Sequence, residues 1–517
     1  MPKPVQASTY TFRHLIDGGY VYVDKTKTIY DLVNPGSGIY FLARPRRFGK
    51  SLLLSILEEI FQGNKELFKE QWIYNSDYRW QKHPIIHIDF SLHRIQNPQD
   101  LETRLKRIFY LIAQENGVEL VDGPFDIQFE DLIRKMAREK DVVILIDEYD
   151  KPILDNIEHL ATAQAIRDTL RSFYTILKAM DRYIRFIFIT GISKFSKVGV
   201  FSTMNNLTDL TMHPGYATLL GITEEELAHY FADHIAGFAA RTQQTVEDLQ
   251  QQIRTWYDGF CFVEDCSKVY NPFSTLQLLV QQRFANYWFE TGTPTFLIKL
   301  LKEQQYDVAL LDDLRAREVG FSTYEIESLS IVPLLFQTGY LTIKAFEPQR
   351  RIYTLAYPNQ EVEEAFVTYL LGEFNERERS LNEAYLWRMI DALEAQNLDA
   401  FFELLQTFFA NVPYNIHLKH EKYYQSLFYL IFKLIGLRID AEVHTNQGRI
   451  DAVIETVDRI FLFEFKLDKS ATEALQQIRT QEYFRKYQGR GKPMTLIGAN
   501  FDSAQRKVSE WLTEAEV

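Results

Sequence analysis

Through the first two hundred residues, apolar positions fall in short unbroken runs, each closed by a polar residue and followed by a longer stretch with helical spacing. Ile39–Ala43, Ile85–Phe90, Val142–Ile146 and Phe186–Ile189 are the runs. The first leads into the loop Arg44–Gly49 and the helical segment Ser51–Phe61; the third ends at Asp147 and the fourth at Thr190. β-branched runs separated by helices predict a parallel sheet covered on both faces, an α/β core over residues 1–215. From 216 to 375 the spacing becomes mainly helical. Thr223 before three glutamates predicts a capped helix start, and Tyr257–Gly259 and Asn271–Pro272 predict turns. A strand–helix alternation returns over 376–517. Tyr423–Ile435 reads as a helix stopped by Gly436, Ile439–Val443, Arg449–Glu455 and Arg459–Lys466 as strands, Thr472–Tyr487 as a helix and Met494–Gly498 as a strand. The order is αβββαβ.

Length agrees with three parts: 517 residues exceed one core at about 100–200 residues per domain. With 46% hydrophobic and 25% charged residues, the composition is that of globular proteins and excludes global disorder. The net charge of −13 means that a nucleic-acid partner has to be held by a local basic site, not by bulk charge. Two cysteines, Cys261 and Cys266, exclude a disulfide scaffold or a multi-cysteine metal centre. No apolar run of about 18 residues and no signal-peptide pattern occur, so the expectation is a cytoplasmic protein without a membrane partner.

Arg44-Pro-Arg-Arg-Phe-Gly-Lys-Ser51 lies between a predicted strand and a predicted helix. A nucleoside triphosphate needs backbone N–H groups at a helix start, a lysine on its outer phosphates and a hydroxyl on magnesium. Gly49, Lys50 and Ser51 meet those needs, although Arg44 stands where a first glycine is usual. The partner of such a loop is an acid ending a buried strand. Asp147 is expected to hold magnesium and Glu148 to polarise the attacking water. Thr190, ending the next strand, is a candidate third group facing the γ-phosphate. A basic loop before a solvated helix, and a strand-end turn, are the plainer readings of the same residues.

In Arg459–Lys466, period-two alternation puts Phe461, Phe463 and Phe465 on one face and Glu464 and Lys466 on the other. Asp451 joins them if its strand pairs with this one. Phosphodiester hydrolysis needs carboxylates around one or two metal ions and gains from a lysine beside the water and phosphate. The plainer reading is a solvated Glu–Lys pair. Residues 474–492 carry Arg479, Arg485, Lys486, Arg490 and Lys492 against Glu482 alone, a local basic stretch suited to phosphate contacts.

The strings RPRRFGKS, YVDKT (Tyr22–Thr26), LIDEYDKP (Leu145–Pro152) and TGISKFS (Thr190–Ser196) closely resemble the AAA-ATPase-like family. Shorter strings, among them TEEEL, WYDGF, YNPFS, QTGYLT and YPNQEV, are similar to it too and read as structural. The resemblance implies a P-loop ATPase core with a helical lid, ATP and Mg²⁺ (or Mn²⁺) as cofactors, and arginine as a family feature at Arg44. Arg46 and Arg47 then add positive charge beside the phosphates. In the last segment, YYQSLFYLIFKLIG, AEVHTNQGRIDAVIE and EFKLDKS resemble the PD-(D/E)XK nuclease superfamily. By that resemblance Asp451 and Glu464 are metal ligands and Lys466 the catalytic lysine. Glu421 matches an auxiliary acid, and Gln477 and Tyr483 match substrate-side positions. Arg479 and Lys486 are the expected phosphate contacts. The implied function is an ATPase joined to a metal-dependent nuclease, ATP state gating access or assembly, with nucleic acid (DNA before RNA) as partner and a homo-oligomer left open. The alternative is a nucleotide-dependent switch or scaffold that binds nucleic acid without cutting it.

Overall fold

The computed structural model describes residues 2–92, 94–195, 200–201, 204, 206–289, 295–304, 306–322, 327, 329–375, 379–410, 421–438, 451–505 and 507–516. The chain divides into two units. One holds Met1–Phe296 with Arg315–Glu361, the other Leu297–Leu314 with Val362–Val517. Residues 216–361, apart from 297–314, thus belong with the ATPase-type core, and 362–375 with the C-terminal part.

In the first unit, β1 (Gly38–Ala43) runs into α1 (Lys50–Phe61). Then come β2 (Ile85–Asp89), α2 (Pro98–Glu115), α3 (Phe125–Met136), β3 (Val142–Asp147), α4 (Leu160–Ala179), β4 (Ile184–Gly191) and the short β5 (Thr208–Asp209). They form a five-stranded sheet in the order β2-β3-β4-β1-β5, with every pair parallel. All six residues of β3 are buried, as expected of a strand with helices on both faces. The strand bearing Asp147 is not the immediate neighbour of β1: β4 lies between them and carries Thr190.

The rest of this unit is helical with small hairpins. Thr223 forms the predicted capping box with Glu226. After α5 (Ala232–Thr242) and α6 (Val246–Tyr257), β6 (Phe260–Cys261) and β7 (Lys268–Val269) pair as a hairpin. Asn271–Pro272, expected as a turn, instead starts α7 (Pro272–Gln281): the Asn271 side chain accepts from the Ser274 N–H, and proline suits the first helical turn. α8 (Ile331–Thr338) ends at Gly339, and β8 (Thr342–Glu347) pairs with β9 (Ile352–Ala356).

In the second unit, α9 (Arg379–Glu394), α10 (Leu398–Ala410) and α11 (Glu421–Arg438) precede a four-stranded sheet. Gly436 does not stop α11, which runs on to Arg438. Lys433 on α11 pairs with Asp312 and Glu363, tying the 297–314 segment to this unit. The sheet strands are β10 (Asp451–Glu455), β11 (Ile460–Leu467), β12 (Met494–Asp502) and β13 (Lys507–Glu516), in that order. The predicted strand Ile439–Val443 lies outside the described residues. β11 and β12 are parallel and are linked by α12 (Ala471–Thr480). This helix is shorter than the predicted Thr472–Tyr487: Glu482 takes a left-handed φ of 51°, and short 3₁₀ turns follow. The aromatic face of β11 is buried as predicted, with Phe463 and Phe465 stacked on each other and Phe432 of α11 meeting both edge to face. The opposite face lies under α12. Gly498 permits this closeness, since a Cβ there would sit 2.4 Å from the Ala471 carbonyl.

Candidate functional sites

Gly49 caps α1 with φ 91°, a left-handed conformation that a side chain would strain. This turn aims the helix start at the loop Arg44–Gly49. Lys50 is buried, and its Nζ donates to the carbonyls of Arg44 and Pro45, both at 2.9 Å. Burial lowers the Lys50 pKa, opposed by Asp147, Glu148 and Asp150, while Arg46 lowers it further. The lysine is therefore held inside the loop by two carbonyl bonds.

Asp147 is the hub of the strand ends. It accepts from Ser51 Oγ at 2.6 Å on one oxygen and from Thr190 Oγ1 at 2.5 Å on the other. The Glu148 N–H adds a third bond at 3.0 Å. The hydroxyl and the carboxylate are oxygen donors of the kind magnesium takes, and they already lie side by side. Glu148 sits at φ 49°, and burial, with Asp147 and Asp150 nearby, raises its pKa against the pull of Lys50. A raised carboxylate at a strand end is suited to exchanging a proton with water.

Sequence reasoning did not give a role to the residues that hold this loop. Arg44 is fully buried, donates to the carbonyls of Ala43 and Thr211, and lies 4.1 Å from the centre of the Phe262 ring. Burial pulls its pKa down to about 9, so it stays charged at neutral pH. Trp288 Nε1 donates to the Arg46 carbonyl at 3.0 Å, Arg47 stacks on Phe273 at 3.8 Å, and Phe48 meets Phe260 edge to face. Gly339 lies so near Pro45 that a Cβ would approach it to 2.8 Å. Gln337 accepts from the Lys194 N–H at 2.8 Å. Buried Asp150 gathers the N–H groups of Ile192 and Ser193 and the Ser193 hydroxyl, which fixes the turn after Thr190. The strings WYDGF, YNPFS and QTGYLT contained several of these residues, but only the fold shows that they clasp the loop.

In the second unit, Asp451 lies directly opposite Glu464 in the antiparallel register of β10 and β11. Opposite residues of such a pair share a face. Glu464 is fully buried. Lys466 Nζ donates to its Oε1 at 2.6 Å and to Gln477 Oε1 of α12. Among the described residues Glu464 Oε2 has no hydrogen-bond partner, an expensive condition for a buried carboxylate oxygen and one that a cation would relieve. The structure thus brings Glu464, Lys466 and Gln477 together, with Asp451 in register. The side chains of Asp451, Glu421, Tyr483 and Lys486 lie outside the described residues. Among the described residues, no three His, Cys, Asp or Glu side chains gather as a metal cluster.

The basic stretch is more neutral in space than in sequence. Arg479 pairs with Glu514, Arg485 with Glu482, and Arg490 and Lys492 both with Glu455. Glu455 and Glu514 come from β10 and β13, far along the chain. Among the described residues, no helix is long and apolar enough to cross a membrane.

Residues 6–201 match a family described as predicted AAA-ATPase, and residues 419–511 match the PD-(D/E)XK nuclease superfamily. A protein of Azotobacter chroococcum mcd 1, described as an uncharacterized protein in the vnfD 5' region, is 36% identical over 529 residues, covering 99% of both chains.

Proposed function

The chain belongs to the family in which an AAA-ATPase-like domain is joined to a C-terminal PD-(D/E)XK nuclease domain, and from that premise we propose that it hydrolyses ATP and uses the nucleotide state to control metal-dependent cleavage of nucleic acid. An ATPase domain and a nuclease-superfamily domain on one chain make it an enzyme. The observation that carries the nuclease reading is the buried Glu464 carboxylate, with one oxygen on Lys466 and the other without a partner among the described residues, in register with Asp451.

At the nuclease site, Asp451 and Glu464 would hold a divalent magnesium or manganese ion, whose bound state supplies an acidified water and neutralises phosphate charge. Gln477 holds Lys466 in place, and the ammonium is positioned to stabilise negative charge on the scissile phosphate. At the ATPase site, Ser51 and Asp147 would hold magnesium. Lys50 exchanges its loop carbonyls for the outer phosphates, Arg46 and Arg47 add charge, and Glu148 takes the proton of the attacking water. Thr190 orients Asp147 and faces the terminal phosphate. DNA is proposed as substrate ahead of RNA, in the cytoplasm. Glu421, Tyr483 and Lys486 are proposed on the substrate side. Arg479 contributes only if substrate phosphate displaces Glu514.

The test is cleavage of plasmid, single-stranded DNA and RNA with magnesium or manganese, with and without ATP, by wild-type and Lys50→Ala protein. Cleavage that needs ATP and is silenced by Lys50→Ala is expected. Binding of nucleic acid without any cleavage would replace the proposal with the scaffold reading, and cleavage indifferent to both ATP and Lys50 would remove the control.

A further inference from the structure

The hairpin β6–β7 carries both cysteines of the chain, as free thiols, and lies wholly in the first unit. Cys261 ends β6 opposite Lys268, and the loop between the strands turns back through Cys266, whose φ of 56° is left-handed. The two residues converge on one carbonyl. The Cys261 thiol donates to the Val263 oxygen at 3.1 Å, and the Cys266 N–H donates to the same oxygen at 3.2 Å. Their side chains are hydrogen-bonded to each other. β8 holds the pair from its other side. Thr342 Oγ1 accepts from the Cys261 N–H at 2.6 Å and donates to the Cys261 carbonyl at 2.8 Å, while the Cys266 sulfur lies 3.6 Å from the Lys344 carbonyl.

The two thiols differ in their access to solvent. Cys261 is buried, whereas Cys266 is half-buried beside the exposed Glu264 and Asp265. Burial pushes the Cys261 thiol up to about 12, against the pull of its bond to Val263. An oxidant arriving from water therefore meets Cys266 first, and Cys261 only through Cys266. Between the cysteines stands Phe262, whose ring carries the Arg44 guanidinium at 4.1 Å and meets Phe48 edge to face. Phe260, on the other side of Cys261, meets Phe48 edge to face as well. The thiol pair is thus built into the clasp on the phosphate loop.

We propose that Cys261 and Cys266 are a peroxide-sensitive dithiol that closes a reversible disulfide within this hairpin and so loosens its clasp on the loop Arg44–Gly49. The Cys266 thiolate attacks hydrogen peroxide. An S–O bond forms, the O–O bond breaks, and the departing hydroxide takes up the proton that the thiol released. The Cys261 sulfur then attacks the sulfenic sulfur: the S–S bond forms, the S–O bond breaks, and the leaving hydroxide takes the Cys261 proton. Two thiols lose two electrons in all, and one peroxide becomes two waters. The second step needs no diffusion, because the two side chains are already hydrogen-bonded. Closure takes the Cys261 sulfur from the Val263 carbonyl and draws the Cys266 sulfur from Lys344. Phe262, inside the new ring of residues, moves with them, and Arg44 and Phe48 lose part of their support. The disulfide is independent of the ATP reading above; its effect on nucleotide rests on that reading.

The experiment treats the reduced full chain with hydrogen peroxide, in wild-type and Cys266→Ser forms. Peptide mass spectrometry maps the cysteines, and amide exchange over Arg44–Gly49 and calorimetric binding of magnesium-loaded ATP are measured before and after. In wild type a Cys261–Cys266 linkage is expected, reversed by dithiothreitol, with faster exchange in the loop. ATP binding should weaken about three- to tenfold, the contribution of about one hydrogen bond. Cys266→Ser, a close isostere at a half-buried position, should show none of these changes. In Cys261→Ala, which lacks the resolving thiol, dimedone should trap a sulfenic acid on Cys266. Cys266 driven to sulfinic or sulfonic acid with Cys261 still reduced, or linkage only between two chains, overturns the dithiol. A linkage that leaves loop exchange unchanged, or equal peroxide damage to ATP binding in Cys266→Ser, overturns its coupling to the loop. A reduced wild-type chain that binds no ATP overturns the ATPase reading, and the linkage and exchange results then decide the dithiol by themselves.

Discussion

Lys466→Met separates a metal-binding carboxylate from a merely structural ion pair. Lys466 is about 10% exposed and Glu464 is fully buried, so the pair is desolvated at both ends. Methionine keeps the length of the side chain and removes the charge, leaving Glu464 buried with neither oxygen compensated by Lys466. Breaking a buried pair from one side costs about 3–5 kcal/mol. A divalent ion held by Asp451 and Glu464 would restore the missing positive charge, and an ion at 100 times its dissociation constant contributes about 2.7 kcal/mol. The variant should therefore be strongly destabilised in chelator and largely rescued by magnesium or manganese. Glu464→Gln should show no such rescue. Amide hydrogen exchange over Ile460–Leu467 and Met494–Asp502 reads the second unit alone, which avoids assigning one unfolding free energy to a two-unit chain. Equal metal stabilisation of wild type, Lys466→Met and Glu464→Gln would refute the reasoning, because the ion would then bind elsewhere.

Four further outcomes concern the first unit. Lys50→Ala should lower ATP hydrolysis by about 10²–10³-fold with the sheet intact, as steady-state turnover and circular dichroism would record. Glu148→Gln should lose about 10²–10⁴-fold in turnover while ATP still binds. The Glu148 pKa is raised and the base must be ionised to act, so wild-type turnover should rise with pH through a value above the ordinary glutamate range; an acid limb that persists in Glu148→Gln assigns it to another group. Gly339→Ala combines a φ of 90° with a 2.8 Å approach to Pro45, so it should destabilise the unit by about 1–3 kcal/mol, read by amide hydrogen exchange over its own strands, and weaken ATP binding through the displaced loop.

The chemistry most legible in the sequence lay where local pattern and side-chain direction coincide. Asp147 and Thr190 end uniformly apolar runs, and such runs become strands whose ends share one edge of a parallel sheet. Period two alone put Glu464 and Lys466 on the face opposite three phenylalanines. What could not be read depends on distant pairing. β13 spaces its apolar residues Val508, Trp511, Leu512 and Ala515 without a period of two, as an edge strand can, and so gives no alternation to recognise. The acids that compensate the basic stretch, Glu455 and Glu514, become its neighbours only when β10 and β13 join the sheet. The grip on the loop by Trp288, Phe262 and Gly339 is likewise a product of tertiary packing between segments some two to three hundred residues apart.

The central claim is that one chain carries an ATPase site and a metal-dependent phosphodiesterase site. Its most direct test is the rate of DNA cleavage by wild-type protein and by the Asp451→Ala/Glu464→Ala double variant, each with manganese and each after chelation. Cleavage by wild type with metal alone, and by neither protein otherwise, is the predicted result. Undiminished cleavage by the double variant, or by the chelated wild type, would contradict it.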